Sequence, residues 1–277
     1  MEFYAKLLSK DHPCLWCGQQ NRNTFSVNQV QFVELAKSSV PDSNRIDEII
    51  FATDNVPALK KYLAARNIPA VSSPFWRLDE SVLPRPNTVM MEHPPDTSKE
   101  PDIFLFTHDP EGHQIGFVQL APEVLGEFSK SQTARLIHAG FIVKDHTMED
   151  SFYKDVLGFH LYWHGGMKDE ETNWVDMQVP DGTDWIEYML NVPPNADKHT
   201  IGVLNHIAIG VSDIEAEDFA VRKNGITAHE DPKIGRDGKW QLNFYDPDDT
   251  RIEFMEFTPK EKPCCSEFTG PHPGPNK

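Results

Sequence analysis

Arg135-Leu-Ile-His138-Ala-Gly-Phe-Ile-Val143 is an apolar run with a histidine near its start, and Val203-Leu-Asn-His206-Ile-Ala-Ile-Gly-Val211 repeats it. Each run is answered by a glutamate in a later one. Glu187, in Asp184-Trp-Ile-Glu-Tyr-Met-Leu190, lies 49 residues after His138; Glu253, in Arg251-Ile-Glu-Phe-Met-Glu-Phe257, lies 47 residues after His206. Two imidazoles and two carboxylates at matching points of a duplicated unit form a donor set for one divalent metal ion. Zn, Ni, Mn and Fe(II) all accept such a set.

The repeat extends outward from these four residues. After the strand near 135–144, Met148-Glu-Asp-Ser-Phe-Tyr-Lys-Asp-Val-Leu157-Gly158 has helical apolar spacing and a glycine placed to end the helix. Strands are expected near 159–164, 172–179 and 184–191, with a Pro180-Asp-Gly182 turn before the last. The next unit repeats the order: strand 203–211, helix 213–224, then strands near 226–230, 238–245 and 250–257. A further unit runs over 45–120, with its helix at Val56–Asn67. A first, N-terminally truncated one begins inside the helix Glu2–Leu8 and keeps a closing strand at Val30–Leu35.

The expected fold is therefore α+β, with tandem β-α-β-β-β modules forming two cup-shaped half-barrel domains. Residues 1–121 form the first domain, 122–132 a linker, 133–258 the metal-binding domain and 259–277 a Pro-rich tail without periodicity. The strand missing from the first module leaves an open sheet edge, or one covered by another chain, as in a homodimer.

Composition narrows the class. The 277 residues carry 39% hydrophobic and 25% charged residues, as in a globular protein. A net charge of −17 excludes nucleic acid as a partner, because phosphate binding depends on Lys and Arg. No apolar run approaches a membrane span, and the first residues lack a secretory signal, so a cytoplasmic protein with a small-molecule substrate is expected. Cys14 and Cys17 form a C-x-x-C, whereas Cys264 and Cys265 are adjacent and poorly shaped for structural zinc. All four are expected to be thiols without a catalytic role.

Strand alternation shows where the side chains point. Gln241, Asn243 and Tyr245 alternate with Trp240, Leu242 and Phe244, and Trp174, Asp176 and Gln178 alternate with Val175, Met177 and Val179. The polar face in each case lines the cup. With Trp163 and Trp174, which can stack on a flat substrate, these residues form the expected substrate wall.

These residues resemble the vicinal oxygen chelate superfamily, and the last two modules resemble glyoxalase I. The resemblance rests on His138-Ala-Gly-Phe-Ile-Val, Phe152-Tyr-Lys-Asp-Val-Leu-Gly158-Phe, Trp185-Ile-Glu187-Tyr, Leu204-Asn-His206-Ile-Ala and Asp246-Pro-Asp-Asp-Thr-Arg-Ile-Glu253-Phe. It implies a cup around one divalent metal held by His138, Glu187, His206 and Glu253, with Glu187 or Glu253 as the catalytic base. The implied reaction is a lyase or isomerase step on a substrate chelated through adjacent oxygens. Few basic residues stand ready for substrate carboxylates, Arg135, Arg236, Lys239 and Arg251 among them.

Two rivals share the fold. An extradiol ring-cleaving dioxygenase would hold Fe(II) with His138, His206 and Glu253 alone. A bleomycin-resistance-like sequestering protein would carry no metal. In the N-terminal half Glu34 remains, Glu48 stands where His206 would be, and Gly116 replaces Glu253. That half is expected to hold no metal, and its His108 and His113 to lie on the surface.

Overall fold

The computed structural model describes residues 2–8, 24–27, 30–33, 45–73, 103–119, 135–227 and 230–275. Cys14, Cys17, Glu34, His229 and the expected linker lie outside them. The strands are β1 (Thr24–Val27), β2 (Val30–Val33), β3 (Glu48–Ala52), β4 (Val71–Ser73), β5 (Phe104–His108), β6 (Gln114–Val118), β7 (Arg135–Ile142), β8 (His160–Gly165), β9 (Trp174–Gln178), β10 (Trp185–Met189), β11 (His206–Val211), β12 (Lys233–Ile234), β13 (Trp240–Tyr245) and β14 (Arg251–Glu256). The helices are α1 (Glu2–Leu7), α2 (Val56–Ala64), α3 (His146–Tyr153), α4 (Lys198–Leu204) and α5 (Ile214–Lys223).

The chain divides into two compact units. The smaller holds α2 and a four-stranded sheet of order β3-β6-β5-β4, with β3 parallel to β6 and the other pairs antiparallel. That is one β-α-β-β-β module. Gly116 faces Glu48, whose carboxylate lies where any side chain at 116 would reach, so this pair offers no room for a second carboxylate. His108 is exposed as expected. His113 is not: it is half-buried, with Nδ1 2.7 Å from Asp109 Oδ2.

The larger unit is built on one continuous eight-stranded sheet of order β12-β13-β14-β11-β7-β10-β9-β8. Antiparallel pairing of β7 with β11 joins the two repeats, and each of these strands is flanked by its parallel closing strand, β10 or β14. Asp145 and Asp213 cap α3 and α5 by accepting from backbone N–H groups. Gly158 and Gly225 follow with φ of +80° and +82°, the left-handed conformation the helix ends call for.

Three expectations needed correction here. The helix Glu2–Leu8 packs not with residues 45–119 but on the sheet of the larger unit. Tyr4, Leu7 and Leu8 join Ile209, Val211, Leu242, Phe244 and Phe254 in one apolar cluster, and Tyr4 Oη donates to Asp246 Oδ2 at 2.5 Å. The expected strand start at 203 is instead the end of α4, capped by Asp197. No strand forms at 226–227 or at 230; the short edge strand comes later, at Lys233–Ile234.

The Pro-rich segment after residue 258 is not a loose tail but a strap along the outer edge of β8. His164 N donates to Ser266 Oγ (3.0 Å), Thr269 N donates to Tyr162 O (3.0 Å), and Thr269 Oγ1 donates to Leu161 O. An edge strand presents unpaired backbone groups, and the strap satisfies these. Within it, Cys264 and Cys265 are joined as adjacent half-cystines rather than left as thiols.

Candidate metal centre

The strand register places the four ligand candidates of the repeat in two neighbouring rows across the sheet. One row reads Asp176, Glu187, Gly140, His206, Arg251, Tyr245 along β9, β10, β7, β11, β14 and β13. The other reads Gln178, Trp185, His138, Ala208, Glu253, Asn243 along the same strands. An approximate two-fold between β7 and β11 exchanges His138 with His206 and Glu187 with Glu253. Side chains two apart on a strand share a face, so all four ligand candidates project to one side.

They meet there. His138 Nε2 and His206 Nε2 are 3.1 Å apart. Glu187 Oε2 lies 3.0 Å from His206 Nε2 and 3.6 Å from His138 Nε2; Glu253 Oε2 lies 3.6 and 3.7 Å from the same two atoms. Ligand bonds of about 2.0–2.2 Å in a tetrahedron set donor atoms roughly 3.3–3.6 Å apart. His138, Glu187 and His206 offer three atoms all within 4.8 Å of one another, close enough to share one divalent cation, and Glu253 approaches that group from the side of the two imidazoles. One contact opposes it: Arg251 Nη2 donates to His206 Nε2 at 2.7 Å, using the lone pair a cation would need. The guanidinium has to release that bond when a cation enters.

Electrostatics support the same fit. Burial pushes both imidazoles well below the usual histidine value, keeping them neutral, as metal ligands must be. Burial also raises Glu187 to about 7 and Glu253 to about 8, so without a cation each holds a proton near neutrality. Neighbouring Asp176 is pushed up by burial and then by Glu187.

The expected substrate wall is only partly free to bind. Trp163 is buried, and its indole N–H donates to Cys264 O at 3.2 Å. Gln178 is committed to the strap and the β9–β10 turn: Nε2 donates to Pro271 O (2.9 Å) and Thr183 O (3.0 Å), and Oε1 lies 3.2 Å from His160 Nε2. Asn243 Nδ2 donates to Glu230 Oε1 (2.6 Å), and Gln241 Nε2 donates to Asp237 Oδ1 (3.2 Å). Trp174 stays half-buried against the concave cluster, and Tyr245 lies beside His199. Asp176 shares the ligand row with Glu187.

Of the basic candidates, Arg135 is a clamp, with Nη1 donating to both oxygens of Asp184 (2.6 and 2.7 Å) and Nε donating to Gly274 O (3.0 Å). Arg236 is paired with Asp169. Lys239, named among the basic candidates, is fully buried beside the ligands, and Asp237, buried with it, is the addition that hydropathy alone assigns to a surface loop.

Known proteins resemble this chain in sequence and in fold. The model of the Glyoxalase/Bleomycin resistance protein/Dioxygenase superfamily matches residues 135–254. A lactoylglutathione lyase from Haemophilus influenzae is 33% identical over 126 residues, which are 44% of this chain and 92% of that protein. Among solved structures, the Mn(II)-bound glyoxalase from Novosphingobium aromaticivorans is similar with a TM-score of 0.53 at 17% identity, covering 86% of this chain and 72% of that one. Homoprotocatechuate 2,3-dioxygenase from Arthrobacter globiformis gives a TM-score of 0.58 at 14% identity, covering 92% and 74%. At such identities the structures speak for the fold alone. The sequence match, which spans both histidines and both glutamates, assigns this chain to the glyoxalase/bleomycin resistance protein/dioxygenase superfamily.

Proposed function

We propose that His138, Glu187, His206 and Glu253 hold one divalent cation, and that the chain is a glyoxalase-like lyase or isomerase acting on a small oxygen-rich substrate. The observation that carries this reading is the position of Glu187, 3.0 Å from His206 Nε2 and grouped with both imidazoles within 4.8 Å. A three-ligand oxygenase site has no use for it. When bound, a divalent cation supplies Lewis-acid polarisation of two adjacent substrate oxygens.

The chain's own residues divide the remaining work. Glu253 is 3% exposed and has Arg251 Nη2 4.0 Å away, so it is the better fixed carboxylate. Glu187 is 14% exposed and less enclosed than Glu253, which suits a carboxylate that moves off the cation to take and return a proton. Glu187 is therefore the base at the carbon next to the chelated oxygens. Trp185, against His138 with ring centroids 4.8 Å apart, and the half-buried Trp174 exclude water from that side.

Metal analysis of purified wild type, Glu187→Ala and His206→Ala tests this. Zn, Ni or Mn near one per chain, lost from His206→Ala and weakened in Glu187→Ala, is expected. Iron that survives Glu187→Ala but not His206→Ala would replace this reading with the ring-cleaving dioxygenase. A wild type that takes up no metal even on reconstitution would leave a sequestering protein.

A second prediction concerns protons. Both glutamates have raised values, so each is protonated below about 7 or about 8 and must lose its proton to a cation. The imidazoles, already neutral, release none. Near pH 6, zinc binding should release close to two protons from the glutamates, falling towards zero near pH 9. Calorimetric titration in two buffers of different ionisation enthalpy measures the number; release that does not change with pH would refute it. The sign for stability follows. Raised carboxyl values mean the metal-free fold binds more protons than the unfolded chain, so this contribution is lost as pH rises through about 7 and about 8.

A further inference from the structure

Lys239 is fully buried, and its ammonium has no hydrogen-bond partner. It sits in an aromatic box, 4.3 Å from the centroid of Trp185, 5.2 Å from Tyr162 and 5.1 Å from Phe268 of the strap. Trp185 in turn lies against the His138 ring, so the ammonium stands one ring away from the metal ligands. Burial lowers the lysine from its ordinary value, and Asp237, Asp176, Glu253 and Glu187 oppose that shift, yet none of these carboxylates accepts a hydrogen bond from it. A buried charge that keeps all three N–H bonds unspent is costly unless a ligand uses them. The ring faces offset part of that cost, but a cation–π contact gives no directed acceptor.

Arg135 and Arg236 are committed to Asp184 and Asp169, and Arg251, which leaves His206 when a cation enters, lies beside Glu253 with Nη2 4.0 Å from its Oε2. Among the basic residues considered for substrate recognition, Lys239 is the fully buried one whose ammonium has no hydrogen-bond partner. Taking the chelating site proposed above as given, we infer that Lys239 forms an anion subsite of the cup. The substrate carries a carboxylate, or a comparable anionic oxygen, beyond its two chelated oxygens, and Lys239 binds that group. Phe268 closes the box from the strap side and forms part of the wall around the bound anion.

The test is calorimetric titration of the zinc-loaded protein with three hydroxamates that share one chelating head. Butyrohydroxamate has a neutral tail, whereas succinic and glutaric monohydroxamates end in a carboxylate on a flexible tether. A charge-assisted hydrogen bond corresponds to about tenfold or more in Kd. Wild type should therefore prefer at least one of the acids over butyrohydroxamate by that factor. Lys239→Met, which keeps length and suits the aromatic box, should erase the preference and leave butyrohydroxamate binding and zinc content unchanged; Lys239→Arg should restore part of it.

A lysine that only balances the buried carboxylates would shift all three ligands together, and that result overturns the subsite. Equal affinity of wild type for all three ligands overturns it as well, with chelation left standing. Failure of the zinc-loaded wild type to bind any of them removes the chelating site itself.

Discussion

Gly140→Ala is expected to lower zinc affinity by at least ~100-fold, the upper range for removing a partner behind a metal ligand, while leaving the fold intact. Gly140 lies between Glu187 and His206 in the ligand row, and the His206 ring rests on its Cα. A Cβ there would stand 2.0 Å from His206 Cε1 and 2.5 Å from its Nδ1. Ordinary contact needs about 3.5 Å, so the ring would have to move by more than ~1 Å. Metal bonds tolerate only about ±0.2 Å.

The displaced imidazole would leave the point where His138, Glu187 and Glu253 converge. The strand itself has no quarrel with alanine, since Ala208 occupies the two-fold-related position beside His138. Competition for zinc against a chromophoric chelator, with a thermal melt as the control for folding, measures the effect. Wild-type zinc affinity in Gly140→Ala would show that His206 is not a ligand. Ala208→Gly is the matched control and should leave zinc binding nearly unchanged.

This pair of positions also shows how much of the site was legible in the sequence. The duplicated histidine and glutamate fix four strands and one shared face, because side-chain direction in a strand follows from position alone. The glycines at 158 and 225 likewise read directly as helix ends. What could not be read depends on contacts without a period. Lys239 lies two residues before Gln241, so alternation does put it inside the cup; its charge argues for the surface, and only Trp185, Tyr162 and Phe268 around it reverse that.

Helix α1 has the apolar spacing of a buried helix but nothing in it names the sheet it covers. Residues 122–132 stand between the two expected domains in sequence, and chain order alone assigns α1 to the wrong unit. The strap escaped for a similar reason. It is extended, so it has no helical period, and its attachment runs through backbone groups and single rings rather than an apolar stripe.

Ending the chain after Thr258 is accordingly expected to cost most of the stability of the larger unit. Trp163 Nε1, Gln178 Nε2 and Arg135 Nε would lose the carbonyls of Cys264, Pro271 and Gly274. Tyr162 Oη would lose His272 Nδ1, 2.5 Å away, and the edge of β8 would lose Ser266 and Thr269. Hydrogen bonds contribute about 1 kcal/mol each, and a buried donor left unsatisfied costs about 1–3 kcal/mol. Removing Phe268 from Tyr162 and Trp163 adds the loss of an aromatic cluster, with centroids 4.8 and 6.5 Å apart.

The total is on the order of 5–10 kcal/mol, against about 5–15 kcal/mol for a whole domain. The truncated chain should therefore melt without cooperativity or fail to accumulate in soluble form. Phe268→Ala, which keeps the backbone bonds, should cost only about 1–3 kcal/mol because the ring is half-buried. Thermal denaturation followed by circular dichroism separates the two variants. If truncation and Phe268→Ala lower Tm equally, the aromatic contact holds the strap and the backbone bonds add little. A truncated protein that melts like wild type would mean that the sheet closes its own edge without residues 259–277.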